Sequence, residues 1–412
     1  MCDPAYRRRF IRLTALCTFA YFVSYLSRIN LAAVMVEIVS TGFAGKETAA
    51  LALSFNAIAY GAGQIISGWL GDRCRPQNVM LCGFVLAGAV NLGVGLCPGG
   101  GVLIPLWAVN GFAQALMWPP MVRILTHHLR SEEYTVACKW VSWSSALATM
   151  AVYALAPALI AWADFRAIFF IGGVAALVAA VVWKVAYERG FSGHEMAAAP
   201  EAKAHAAGHG FDRAAILLLP ILLAIILHGA LRDGVTNWMP TLVSESFQLD
   251  SSSAILGGVL LPVFHILCSQ ATAFVYRRFI RNEMLCSGVI FLVAVLAAAM
   301  LNLLGGSAII SMLLMAALVG CMHGVNFLFT CMVPPCFARY GHVSLISGVL
   351  NASTYLGAAL STYGIALFSQ RFGWAGTIWL WAAIALFGAV IVLLIAWRWQ
   401  RFTVEPSEPG RD

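Results

Sequence analysis

The sequence predicts an all-α membrane protein, twelve transmembrane helices in two pseudo-symmetric six-helix halves. Three observations carry this expectation. Apolar residues fill 61% of the 412 positions and charged ones only 10%, with a mean hydropathy of +0.84. A water-soluble chain cannot bury that much apolar surface. Runs long enough to span a bilayer, roughly 20 apolar residues each, recur twelve times. A single long polar stretch divides those runs six and six.

The runs fall at about 11–36, 48–71, 77–97, 102–125, 135–162, 166–187, 213–243, 254–278, 284–304, 307–333, 343–369 and 373–397. The polar stretch, residues 188–212, is rich in Ala and Gly, mixed in charge and without apolar period, so it reads as a flexible cytoplasmic linker. The expected organisation is therefore a first half over 1–187, a linker over 188–212, a second half over 213–397 and a cytoplasmic tail over 398–412.

Charge sets the orientation. Of the 25 Lys and Arg, Arg28 and Arg232 lie inside apolar runs, and only Lys46, Arg166 and Arg371 fall on the side opposite the N-terminus. The remaining basic residues cluster on one side, which places both termini in the cytoplasm and requires an even number of spans. This topological pattern, rather than nucleic-acid binding, accounts for the net charge of +7. Arg7-Arg8-Arg9 before an apolar run could open a signal peptide, but the run is too long, carries Arg28 and lacks a small-residue cleavage site. It is read as an uncleaved first helix of a multi-pass protein of the cell membrane, expected to be a cell inner membrane. Eleven cysteines scatter through the spans without CxxC or His-Cys pairing, so helix packing is expected of them and neither metal nor disulfide chemistry. No nucleotide-binding loop or hydrolytic constellation is present, so no enzyme activity and no cofactor is expected.

The halves resemble each other weakly. Trp118-Pro119-Pro120 near the end of span four has a counterpart in Val333-Pro334-Pro335 near the end of span ten. Asp164-Phe165-Arg166-Ala167 before span six parallels Phe372-Gly373-Trp374-Ala375 before span twelve. Arg28 and Arg232 are separated by a similar interval, so each half carries one intramembrane cation. A charge at that depth is costly unless it faces a cavity, and such residues usually mark a pathway or a site. The simplest expectation is two arginines converging on an anion.

Tyr21, Tyr25 and Arg28 fall at i, i+4 and i+7 on one helical face, a guanidinium flanked by phenols that suits phosphate or carboxylate. Tyr60 and Gln64 add a second polar face on span two. The bland alternative makes the tyrosines interfacial or packing residues. In span seven, Asp233 follows Arg232 directly and points about 100° away on a helix, so a local ion pair is expected to have poor geometry. A buried acid on another helix would be the structural alternative for Arg232, yet intramembrane acids are scarce.

The loop after span two, Gly68-Trp69-Leu70-Gly71-Asp72-Arg73 and then Arg75, resembles the G-x-x-x-D-R-x-x-R signature of the major facilitator superfamily. There Gly68 would permit close helix approach, and Asp72 would accept hydrogen bonds from helix ends and basic groups at a cytoplasmic gate that includes Arg73. The matching loop, Tyr276 to Arg281, has lost the acid. More narrowly, the chain resembles the organophosphate:phosphate antiporter family of that superfamily, which includes the glycerol-3-phosphate and hexose-phosphate transporters. Tyr25-Leu26-Ser27-Arg28-Ile29-Asn30, Ala59-Tyr60-Gly61, Asn110-Gly111 with Gln114 and Trp118-Pro119-Pro120, Leu231-Arg232 with Gly234, Asn237-Trp238 and Pro240-Thr241, and Tyr355-Leu356-Gly357 carry the resemblance across both halves.

The resemblance implies a secondary transporter, expected to act as a monomer, that exchanges a small organophosphate for inorganic phosphate by alternating access. Arg28 and Arg232 match the two arginines that clamp phosphate, and Tyr21, Tyr25 and Tyr60 match tyrosines of the same cavity. The chain departs from the glycerol-3-phosphate branch at Gln64, where that branch has lysine, and at Leu147, where it has histidine. Ile29 replaces a basic residue and Asn237 an acidic one. Another organic anion, a carboxylate or phosphonate with proton coupling, is therefore the alternative substrate class, and an organophosphate sensor the alternative function. His228, one turn before Arg232, together with His265 and His323, are the candidate titrating groups, and each is more often a packing residue. Asn351, Thr354 and Tyr355 form a polar face on span eleven that binds substrate or hydrogen-bonds between helices.

Overall fold

The computed structural model describes residues 4–191, 208–248 and 260–404. Among these, nine helices are long and apolar enough to cross a membrane. Three more helices complete the expected twelve spans: α1 (Pro4–Leu26), α4 (Lys46–Arg73) and α11 (Leu260–Arg278). Two of them are less apolar over their described length for identifiable reasons. The first turns of α1 hold Arg7, Arg8, Arg9 and Arg12, and the first six residues of the predicted eighth span, 254–259, lie outside the described residues.

Between these run α2 (Asn30–Ala33), α3 (Met35–Ser40), α5 (Pro76–Leu96), α6 (Leu103–Ala115), α7 (Trp118–His128), α8 (Ser131–Trp162), α9 (Arg166–Phe191), α10 (Gly208–Phe247), α12 (Glu283–Leu304), α13 (Ala308–Phe327) and α14 (Val343–Val404). The elements differ from the sequence expectation at several places. Helix α9 continues through Phe191 and α10 starts at Gly208, so both ends of the predicted linker are helical; 192–207 lie outside the described residues. Helix α14 runs on to Val404, past the predicted tail boundary at 398.

The first span is also broken. Helix α1 stops at Leu26, and two short helices follow where one continuous helix to Val36 is predicted. No proline or glycine explains this; side chains divert a backbone carbonyl, as described below. Span four divides at Leu116 and Met117, just before Trp118-Pro119-Pro120. Span ten widens into a π turn over Leu328–Met332 and then tightens into a 3₁₀ segment over Pro334–Tyr340. Both breaks precede paired prolines, which lack the N–H an α ladder needs. The sequence repeat is thus a structural repeat.

Helix α14 holds two spans. Gly373, at φ +68° and ψ −178°, interrupts it, a left-handed conformation that an L side chain adopts only with strain.

The described residues form two compact units. One comprises Met1–Glu201 with Phe337–Ala352, the other Ala202–Cys336 with Ser353–Asp412. The first unit therefore includes a stretch from the second half of the sequence. Part of its core packs α2, α3 and α6 against α8 and α9 around Leu31, Ile38, Trp107, Val152 and Phe169, with the Trp107 and Phe169 rings edge to face at 5.8 Å. In the same unit α4 and α6 approach so closely that a Cβ on Gly111 would collide with the Asn56 carbonyl oxygen. Asn56 also donates from its side chain to the Trp107 carbonyl at 2.8 Å, which holds the two backbones at that spacing. Gly111→Val is expected to cost about 1–3 kcal/mol by overpacking. Thermal melting of the purified variant, and its yield in the membrane fraction, should both fall; unchanged melting would show that the helices can separate at no cost.

Candidate functional site

The Ser27 backbone carbonyl organises the site in the first unit. It accepts hydrogen bonds from the side-chain amides of Asn91 and Asn110, each at 3.1 Å. In a continuous helix this oxygen would take the N–H of Leu31; that N–H bonds instead to Asn30 Oδ1 at 3.1 Å. Asn30 Nδ2 donates to Asn91 Oδ1 at 2.6 Å, and Gln114 Nε2 to the Ser27 hydroxyl at 2.9 Å. Four of these five residues are fully buried and Gln114 nearly so. Sequence analysis singled out Asn30, Asn110 and Gln114 but missed Asn91, an isolated polar residue in the apolar stretch after Asn78, with no motif around it.

This network ends α1 beside Arg28. The Arg28 guanidinium lies over the Tyr60 ring at 3.9 Å and the Tyr25 ring at 5.2 Å. The Tyr25 and Tyr21 rings are 5.1 Å apart, and Tyr21 meets Trp118 at 5.3 Å. Arg28 lies past the end of α1, not on its continuous face, yet the cluster of Tyr21, Tyr25, Tyr60 and Arg28 forms. The two phenol rings take the place of water against the guanidinium.

Gln64 does not present its amide to open space. It is fully buried, donates to the Ala115 carbonyl at 3.5 Å and accepts from Asn351 Nδ2 at 3.0 Å. Its polar capacity goes to helix contacts, as does that of Asn351. Leu147 lines a largely apolar cavity of about 530 Å³ with Phe10, Phe19, Phe22 and Trp140, whose polar lining is the hydroxyls of Thr14, Thr18 and Ser144.

Asp72 lies just beyond the apolar stretch of α4. Its two carboxylate oxygens accept the backbone N–H groups of Ser344 at 3.0 Å and Leu345 at 2.7 Å, in the first turn of α14, where orphan donors and the helix dipole favour an anion. Arg123 approaches Asp72 Oδ1 at 3.9 Å and donates to the Gly71 carbonyl; sequence analysis did not mark it. A Cβ on Gly68 would lie 2.6 Å from the Ser344 oxygen, so glycine is what lets α4 meet this helix end. Arg73 is exposed and rests on the Trp69 ring at 4.4 Å.

Burial pushes the Asp72 carboxyl up to about 6, outweighing the two backbone donors and Arg123, which pull it down. The contact therefore holds a proton more tightly than a solvated carboxylate does, and by linkage rising pH through about 6 favours its opening. Protection of the Ser344 and Leu345 amides against hydrogen exchange, corrected for intrinsic rates, is expected to fall about tenfold or more between pH 5 and pH 8. In Asp72→Asn this dependence should vanish. Equal protection in the wild type at both pH values would mean that the carboxylate stays in place whatever its charge.

In the second unit, Arg232 pairs with its neighbour. Its Nε donates to Asp233 Oδ1 at 2.6 Å and an Nη to Oδ2 at 3.0 Å. The expected poor geometry is overturned: the long arginine side chain folds back along the helix far enough to present its side-on fork to both oxygens. The guanidinium also stands 6.0 Å over the Tyr355 ring. His228 is fully buried, its Nδ1 3.3 Å from the Ile225 carbonyl. Asn237 is exposed. His265 and His323, from α11 and α13, stack face to face with ring centroids 3.8 Å apart. Sequence analysis named each but could not pair residues on separate helices. Among the described residues, no group of three or more His, Cys, Asp or Glu could hold a metal ion.

These spans, with an arginine inside the apolar layer of each half, define a multi-pass helical membrane protein. Residues 17–335 match the family model described as Major Facilitator Superfamily, and the chain belongs to that superfamily. It is 27% identical over 163 residues to a probable hexose phosphate transport protein of Chlamydia muridarum, covering 39% of this chain and 35% of that one. It is 30% identical over 147 residues to the membrane sensor protein UhpC of Salmonella typhimurium, covering 35% and 32%. To the glycerol-3-phosphate transporter of Bacillus subtilis it is 30% identical over 129 residues, covering 30% and 29%. The match thus spans about a third of the length of these curated relatives. In fold it is similar to the proton:xylose symporter XylE, at a TM-score of 0.73 and 10% identity over 95% of this chain and 96% of that one. It is similar also to FucP, at 0.72 and 10% over 97% and 100%.

Proposed function

We propose that this protein carries a small organic anion across a cell membrane by alternating access, with both termini cytoplasmic. The substrate class is an organophosphate, exchanged for inorganic phosphate. Arg28 and Arg232 each supply charge-assisted donors to the anion, with Tyr21, Tyr25 and Tyr60 assigned beside the first and His228, Asn237 and Tyr355 beside the second. Asp72, with Gly68 and Arg73, acts in gating. The observation that carries the reading is the Arg28 guanidinium over the rings of Tyr25 and Tyr60. A cation kept in an apolar span beside two phenols suits recognition of an oxyanion. The similarity to proteins named as hexose phosphate and glycerol-3-phosphate transporters supports a phosphorylated substrate.

A second reading, a sensor that binds the anion without moving it, draws on the similarity to UhpC. Proteoliposomes loaded with phosphate separate the two: a transporter accumulates labelled glycerol 3-phosphate or hexose phosphate, whereas a sensor binds without accumulation. Loading with other anions tests the exchange step. Arg28→Ala and Arg232→Ala are each expected to abolish uptake while melting like the wild type, through loss of contacts worth about 1.5–3 kcal/mol each. Normal uptake by either variant would remove that arginine from the site.

A further inference from the structure

Helices α11 and α13 carry a polar flank near Arg232. Their seam is tight: a Cβ on Gly320 would lie 2.5 Å from Cys268 Sγ, and one on Gly324 would collide with the Thr272 hydroxyl. With the seam fixed there, His265 and Ser269, at i and i+4, fall on one flank of α11, and His323 and Asn326, at i and i+3, on one flank of α13. The stack of His265 on His323, at 3.8 Å and 15° between ring planes, joins the two flanks. Both rings are half-buried and lie within electrostatic range of Arg232.

Two polar atoms of this flank lack partners among the described residues. Ser269 is 1% exposed and its Oγ makes no hydrogen bond, and the buried Oδ1 of Asn326 makes none either. A buried polar group without a partner is costly, so neighbouring ones mark the place of a ligand that supplies the partners. The chemistry of the flank says which kind. A hydroxyl, a carboxamide and an uncharged imidazole each both donate and accept, whereas a guanidinium only donates. Phosphate oxygens therefore belong on Arg232, and an alcohol, which also donates and accepts, matches the flank. We propose that His265, Ser269, His323 and Asn326 form a subsite for hydroxyl groups of the transported anion, which makes the substrate a polyol phosphate and selects against alkyl and aryl phosphates. The inference rests on Arg232 being an anion ligand.

Glycerol 3-phosphate and n-propyl phosphate share a phosphate and a three-carbon chain and differ only in their hydroxyls. Titration calorimetry of the purified full chain with each ester, and with inorganic phosphate, reads the subsite as the ratio of the two ester affinities. Any change at the arginines cancels in that ratio. The wild type is expected to prefer glycerol 3-phosphate about tenfold or more, because the analogue without hydroxyls leaves the subsite's polar groups unpaired. His265→Phe and His323→Phe each keep a ring for the stack and remove its nitrogens. Each should lower the ratio about threefold or more, as should Asn326→Leu. A merely structural role would lower the melting temperature and leave the ratio where it was. Equal affinity of the wild type for the two esters, or a ratio unchanged in all these variants, would overturn the proposal. Should the ring variants fail to melt cooperatively, Ser269→Ala and Asn326→Leu decide in their place. If the wild type binds neither ester nor inorganic phosphate, it is the anion-carrier reading that fails.

Discussion

A cation held at bilayer depth must find in the protein the solvation it has lost from water. Much of the described architecture follows from that constraint. In the first unit the replacement is aromatic: Tyr60 and Tyr25 cover the flat faces of Arg28. In the second it is ionic, through Asp233. The two solutions have different physical character. Stacking removes water from the guanidinium without itself cancelling the charge. Ion pairing satisfies the donors and cancels the charge. The halves repeat in sequence and in their proline breaks, but their arginines are held in opposite ways.

The buried amide cluster around Ser27 underlies the aromatic solution. Asn30, Asn91, Asn110 and Gln114 would each be costly in an apolar bundle without partners; together they satisfy one another and one diverted carbonyl. Such a network is all or nothing, since a half-satisfied set is worse than none. It explains why the first span ends at Leu26 in a sequence with neither proline nor glycine nearby, and why Arg28 leaves the helical face the sequence assigns to it.

The spans were legible because bilayer thickness imposes a length on apolar runs, and the breaks in spans four and ten because proline leaves a local mark. Arg28 and Arg232 stood out for the same reason, as charges in the wrong solvent. Partnerships were harder to read. Asn91, Arg123 and the His265–His323 stack depend on which helices become neighbours, and periodicity within one helix carries no information about that. Asp233 failed differently: an ideal helix wheel separates adjacent side chains, but it ignores the reach and flexibility of arginine. Gln64 shows the same limit, since its amide bonds to Ala115 and Asn351 on other helices.

Helix α14 is 62 residues long, which as an unbroken rod would measure roughly 90 Å, some three times the hydrocarbon thickness. One glycine resolves the mismatch. The turn at Gly373 uses a single residue outside helical geometry, so the two spans it joins share a corner with no slack. Slack in a connection is what lets neighbouring elements shift independently. Here a displacement of one span is handed to the other through the backbone itself, and the pair behaves mechanically as one bent lever.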